Sequence, residues 1–232
     1  MRVEIWSDVV CPWCYIGKRR FEEALGQFEH SDDIEVVWRS FELDPNAPAV
    51  QTEPHAERIA RKYGVSMAQV EAMNARLIGE ARKDGLDFHL AESKGGNTFD
   101  AHRLIHFAAE RGRGGEMKER LMRAYFTEGV AIGERGELVR LAIDVGLEEA
   151  EVKAMLSSDA FAGAVRADEA RAREFGISGV PFFAIDERYG ISGAQPAELI
   201  LEALRQAYGE AALAPAAASP DAGQCDDDSC TI

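Results

Sequence analysis

The sequence predicts an α/β fold, a mixed sheet built from a βαβ unit and a later ββα unit, with an all-helical segment inserted between them. Three observations carry this. Residues 2–6 alternate apolar and polar ahead of a helical period, and a Val- and aromatic-rich run follows at 34–41. Two short apolar runs, 182–185 and 189–192, flank a turn and precede a last amphipathic stretch. Between them, from about Glu53 to Phe175, the apolar residues recur with helical period.

In chain order, Val3 and Ile5 alternate with Arg2 and Glu4 as in a strand. Pro12 stands where a helix can begin, and Ile16, Phe21, Leu25 and Phe28 supply its apolar side. The run from Ile34 to Phe41 is expected to pair beside the first strand through a right-handed crossover. In the insert, Ser66 and Gln69 form a capping box ahead of Met67, Val70, Met73 and Leu77, and Asp84-Gly85 ends that helix. Asn97 caps the next helix, which places Ala101, Leu104, Ile105 and Ala108 on one face before Gly112. Further helices are expected over 116–128, 137–145 and 148–175, the last broken near Ser157-Ser158. Phe182 to Ile185 and Tyr189 to Ser192 read as antiparallel strands around Asp186-Glu187-Arg188, and Pro196 opens a final helix to Tyr208. The expected division is residues 1–50 and 176–209 for the sheet domain, 51–175 for the helical insert, and 210–232 for a flexible acidic tail.

A chain of 232 residues that is 46% hydrophobic can bury a full core without a disulfide scaffold. Its formal charge of −15 disfavours phosphate backbones and anionic lipid surfaces, so neither nucleic acid nor membrane is an expected partner. No stretch approaches the ~18 apolar residues of a membrane span. The first residues lack the apolar run of a secretory signal, which makes the cytoplasm the expected compartment.

The four cysteines fall as two close pairs, Cys11 with Cys14 and Cys225 with Cys230, at opposite ends of the chain. That pattern points to chemistry at the pairs. A Cys-x-x-Cys at a strand-to-helix junction places Cys11 at the positive end of a helix, which favours an anionic sulfur and marks it as the nucleophile. Cys14, one turn on, can reach Cys11 and resolve a mixed disulfide. Pro12 suits the first helical position. Asp8 on one side and Lys18, Arg19 and Arg20 on the other pull the Cys11 thiol in opposite directions, so the net redox direction stays open.

The Cys11-Pro12-Trp13-Cys14 opening and the later Gly179-Val180-Pro181 ahead of a strand together resemble the thioredoxin superfamily, in its DsbA-like branch with a helical insertion. Four blocks narrow the resemblance to the FrnE-type proteins: Cys11 to Gly17, Asn97 to Leu104, Gly176 to Phe183, and Ile191 to Pro196. These are cytosolic dithiol-disulfide oxidoreductases or isomerases of the DsbA family. The resemblance covers about Arg2 to Tyr208. It implies a thioredoxin fold and a cis-proline at Pro181 beside the Cys11 sulfur. It further implies that Val180 offers its backbone to an extended substrate, with Pro12 and Trp13 at the same surface. The implied partners are protein or peptide disulfides and a cellular thiol reductant. No cofactor is implied, although glutathione is a compatible redox partner, and the protein is expected as a monomer or homodimer.

Two other readings stand beside this one. A neighbouring DsbA-like family, the glutathione-dependent 2-hydroxychromene-2-carboxylate isomerases, uses one Ser or Cys at the helix start, whereas Cys14 completes a dithiol here. A thiophilic metal binder would have to recruit Cys225 and Cys230, whose intervening Asp226, Asp227 and Asp228 should raise their pKa values. The same two residues are otherwise a second redox pair that exchanges with the first. His102 and His106 have a spacing that can bind a metal on a helix, but no further ligand is placed by the sequence, and no metal site is expected. Of the tryptophans, Trp38 is expected in the core and Trp13 near substrate.

Overall fold

The computed structural model describes residues 1–213. Cys225 and Cys230 lie outside the described residues. Four strands, β1 (Arg2–Ser7), β2 (Glu35–Ser40), β3 (Phe182–Ile185) and β4 (Tyr189–Ser192), form one sheet in the order β2-β1-β3-β4. β2 runs parallel to β1, and β3 is antiparallel to both β1 and β4, so the sheet is mixed as expected. The parallel pair is joined through α1 (Pro12–Gly26).

β1 sits centrally and is covered on both faces. Val3 and Ile5 join Phe21, Phe28, Phe183, Leu201 and Leu204 in a core under α1 and the C-terminal helix. Trp6 packs on the other face with Ala172, Ile177 and Ala184. Seven helices separate β2 from β3: α2 (His55–Tyr63), α3 (Met67–Lys83), α4 (Phe99–Ala109), α5 (Gly114–Phe126), α6 (Arg135–Asp144), α7 (Glu149–Leu156) and α8 (Ala162–Glu174). Their core includes Leu104, Leu121, Met122 and Leu141, and it continues without a break into Cys14, Tyr15 and Ile16 of α1. Tyr15 fixes that junction, with ring contacts to Phe88 and Phe126 and a 2.6 Å hydrogen bond donated to Glu119.

Several local expectations meet the structure directly. Ser66 and Gln69 form the capping box of α3, and Gly85 ends that helix region with φ +72°. α4 starts one residue later than expected, with Thr98 at the N-cap, while the Asn97 side chain accepts from the Phe99 N–H at 2.9 Å. α8 lies against β2 as well as α4, so part of the expected insert covers the sheet. The last helix, α9 (Ala197–Leu213), runs past Gly209. There the Glu210 carboxylate accepts from Arg188 at 2.9 Å and from the Tyr189 hydroxyl, a tertiary tie that outweighs the weak helix propensity of glycine.

Candidate active site

The N-terminus of α1 carries the two cysteines. Cys11 is the N-cap with extended backbone, Pro12 occupies the first turn, and the N–H groups of Cys14 and Tyr15 donate to the Cys11 carbonyl at 3.0 and 3.3 Å. Both thiols are free and lie 3.1 Å apart, with Cys11 5% and Cys14 1% exposed. Cys11 Sγ donates to the Val180 carbonyl at 3.6 Å, and the Val180–Pro181 peptide bond is cis. A Cβ at Gly17 would come within 2.9 Å of the Pro181 ring, so the glycine lets the proline loop close onto α1. Trp13 is 43% exposed beside these groups.

Beneath the sulfurs lies a buried polar cluster that joins β1, α4 and α5. Asp8, His102 and Lys118 are all essentially inaccessible. Lys118 Nζ donates to the Ser7 carbonyl at 3.0 Å, and the Leu43 N–H donates to Asp8 Oδ2 at 2.8 Å. His102 Nε2 stands 3.4 Å from Asp8 Oδ1, within ion-pair range but without the alignment of a hydrogen bond. Three of the four buried side-chain polar atoms without a hydrogen-bond partner among the described residues are here: Ser7 Oγ, Asp8 Oδ1 and His102 Nε2.

Burial shapes the titration of this cluster. It pushes the Cys14 thiol well above its ordinary range, and the adjacent Cys11 sulfur pushes the same way, while the Asp8 backbone and Lys118 act against them. Burial also brings Lys118 down to about 8, although Cys14 and Asp8 favour its cation. For Asp8 burial opposes ionisation, yet His102, the Leu43 N–H and Lys118 outweigh it and hold the carboxyl below its usual range. His102 is lowered chiefly by burial, which Asp8 only partly offsets.

The sequence model of the DSBA-like thioredoxin domain family matches residues 2–205. The chain belongs to that family. An uncharacterised protein of Bacillus subtilis (strain 168), YwbO, is 31% identical over 188 residues, covering 81% of this chain and 88% of the relative. The crystal structure of a probable DsbA oxidoreductase from Streptomyces coelicolor superposes with a TM-score of 0.90 at 44% identity, over 100% of this chain and 99% of that one. A 2-hydroxychromene-2-carboxylate isomerase shares the fold, with a TM-score of 0.69 at 14% identity over 92% of this chain and 100% of that one.

In this DSBA-like chain the cations that sequence placed near Cys11 are engaged elsewhere. Lys18 bonds Glu22 and Glu119 at 2.5 and 2.6 Å, Arg19 pairs with the same two carboxylates, and Arg20 bonds Asp84 at 3.2 Å. The cation under the dithiol is Lys118, which lies more than a hundred residues away in sequence and carried no motif. His102 and His106 share a helix but serve different carboxylates, since His106 Nε2 lies 3.0 Å from Asp168 Oδ2 and 3.1 Å from Ser40 Oγ. Among the described residues no three potential ligands converge on a metal position. Trp6 is the fully buried tryptophan, its indole N–H donating to the Asp168 carbonyl at 3.0 Å, whereas Trp38 is only partly buried.

Cys11, Pro12, Trp13 and Val180 also line a groove of about 1090 Å³ whose far wall is α2 and α3. The surface at Pro12, Trp13 and Val180 was expected, but its far wall was not legible in the sequence, because α1, β2 and a loop separate it from Cys11 along the chain.

Proposed function

We propose that this DSBA-like protein is a thiol-disulfide oxidoreductase that exchanges disulfides with polypeptide substrates in the cytoplasm, a cellular thiol being its second partner. The observation that carries this reading is the dithiol itself: two free sulfurs 3.1 Å apart at a helix N-terminus, the outer one against the Val180 carbonyl. Cys11 attacks a substrate disulfide, forms a mixed disulfide and expels one substrate thiolate. Cys14 then attacks the Cys11 sulfur, closing the Cys11–Cys14 disulfide and releasing the second thiolate, so two electrons pass to the substrate. Run in reverse, the same steps oxidise a dithiol.

The buried cluster has a defined part in the second step. A Cys14 thiol held far above its ordinary range must lose its proton inside the fold before it can attack. Lys118 and the Asp8 backbone both favour the thiolate that forms. Val180, next to the cis bond, presents backbone to an extended substrate chain. The paired thiols favour dithiol exchange over the single-thiol glutathione chemistry of the chromene-carboxylate isomerases.

Thiol-dependent insulin reduction tests the assignment. Cys11→Ser should abolish turnover, and Cys14→Ser should accumulate mixed disulfides that an alkylating quench preserves. Full activity of the Cys11 variant would overturn it.

A further inference from the structure

We propose that the groove between α1 and the α2–α3 pair selects substrate polypeptides with an acidic side chain near the reacting cysteine, and that Arg58 receives the carboxylate. This rests on the thiol-disulfide reading of Cys11. The groove holds about 1090 Å³, at the upper end for small-molecule pockets. Its apolar lining includes Trp13, Leu43, Tyr63 and Met73, all more than a third exposed. Exposed apolar side chains clustered along a groove suit the successive side chains of an extended segment more than one compact ligand.

Charge narrows the occupant. The chain carries −15 overall, yet the groove is lined by Arg58, Arg61, Lys62 and Arg76 against Asp8 and Asp44. Arg61 is already bound to Glu53 at 2.5 Å. Arg58 is different. Among the described residues no carboxylate lies within ion-pair distance of it, and its Nη2 meets only the Tyr125 hydroxyl and His55 Nδ1, each at 3.2 Å. Burial, followed by Arg58 itself, lowers His55 to about 4, so that partner is neutral at pH 7. A half-buried guanidinium whose direct partners are neutral, with Glu53 nearby but beyond ion-pair distance and held by Arg61, and with an open groove in front of it, has the geometry to bind a further carboxylate.

The Arg58 position is also specified by the fold. A Cβ at Gly95 would lie 1.7 Å from Arg58 Nη1, so the guanidinium rests directly on the Gly95 backbone and a side chain there would push it aside. The Gly95 carbonyl in turn accepts from the Gln51 N–H at 2.9 Å, tying that loop to the groove's edge.

The test uses the full chain and two disulfide-bonded reporter peptides that differ only in Asp or Lys near the cysteine. Wild type should favour the Asp peptide by about tenfold in kcat/KM at low salt, a preference that shrinks as salt screens it. Arg58→Glu should reverse the ratio, and Arg58→Lys should keep part of it. Gly95→Ala, which displaces the guanidinium without removing its charge, should lower the ratio. Arg173→Glu, an equal charge change on the exposed end of α8, should leave the ratio at the wild-type value. A wild-type ratio near one, an Arg58→Glu ratio equal to wild type, or a preference confined to a small carboxylate-bearing disulfide such as dithiodipropionate would each overturn the proposal. The same ratio read as Kd with serine-substituted peptides is measurable without turnover, so failed chemistry and failed selection give different results.

Discussion

Two buried polar networks flank β1, and they are built to different standards. On the sheet face under α8, Glu4 and Asp168 have every carboxylate oxygen partnered: Arg39 and Arg171 bind Glu4, while Arg39, the Ser40 N–H and His106 bind Asp168, with Arg39 Nη1 at 2.8 Å and Ser40 N at 2.8 Å. Under the cysteines, Asp8, His102 and Lys118 are buried at least as deeply, yet Ser7 Oγ, Asp8 Oδ1 and His102 Nε2 have no partner among the described residues. A satisfied buried network rigidifies; an unsatisfied one is costly, and its persistence asks for a chemical reason. The difference separates two kinds of buried charge in one molecule. The Glu4–Asp168 network holds α8 and β2 on β1, whereas the Asp8–Lys118 cluster leaves Asp8 Oδ1 without a hydrogen bond and holds a buried cation that acts on Cys14.

The largest effect should follow from breaking the satisfied network. Asp168→Ala leaves Arg39, the Ser40 N–H and His106 without their shared acceptor, and loss of one member of a buried ion network costs about 3–5 kcal/mol. Urea unfolding measures the loss. At denaturant-free pH 7, the rate at which Cys14 resolves a mixed disulfide should stay within about twofold of wild type in the folded fraction, since Asp168 reaches the dithiol only as a minor charge near Lys118. A much slower resolution would erase the distinction between the two networks.

Lys118→Met probes the second network with a smaller effect on stability. Lys118 titrates near 8 in the fold, chiefly through burial, and near 10.4 when unfolded. Between those values the unfolded chain binds the extra proton, so wild-type stability rises with pH across that window. Below about 8 the fold carries the cost of the buried cation, on the order of 3 kcal/mol. The methionine variant should lack this contribution between about pH 8 and 10, read as the difference between the two proteins, because the cysteines, which titrate near 8.5 in the unfolded chain, act on the stability of both. Removing the cation that favours the Cys14 thiolate should also slow resolution, by about tenfold for ~1.4 kcal/mol of lost transition-state stabilisation. Unchanged resolution would move the chemical role away from Lys118.

The contrast between these networks marks what the sequence could reveal. Strand faces, caps and breaks were legible because they are local: Val3 and Ile5 share one face, Ser66 and Gln69 close a capping box, and Ser157-Ser158 falls between α7 and α8. The dithiol was legible because Cys11 and Cys14 are neighbours both in sequence and in space, whereas the Val180-Pro181 step, which meets Cys11 across 169 residues, was marked only by the family resemblance. Glu4 read as the polar side of an alternating strand, but α8 covers that face, and Arg39 and Arg171 make its burial tolerable. Lys118, Arg58 and Gly95 were not legible at all. Each matters through a partner on another element, Lys118 through β1, Arg58 through Tyr125 and the Gly95 backbone, and no periodicity encodes such meetings. Gly17 shows the intermediate case: a glycine inside a helix signals a close approach, but only the structure identifies Pro181 as what approaches.

The smallest effect separates two histidines one turn apart on α4. His106 belongs to the satisfied network, bonded to Asp168 and Ser40, so His106→Gln should lose about 1 kcal/mol at pH 7 from the hydrogen bonding it gives up. His102 belongs to the open cluster, and its Nε2 has no aligned partner among the described residues, so His102→Gln should cost less than that at pH 7. Acid should expose the difference. Burial lowers His102 below the ordinary imidazole range, which means that the unfolded chain takes up the proton first as pH falls through about 6.5. In that interval the unfolded state binds more protons, and wild type loses stability. His102→Gln cannot titrate, so it should keep more of its pH 7 stability at about pH 5.5 than wild type does. Urea midpoints at the two pH values give the comparison, with the slope m checked for constancy. If His102→Gln loses stability in acid as steeply as wild type, the imidazole is not held neutral by burial, and the cluster beneath the cysteines is better satisfied than its geometry indicates.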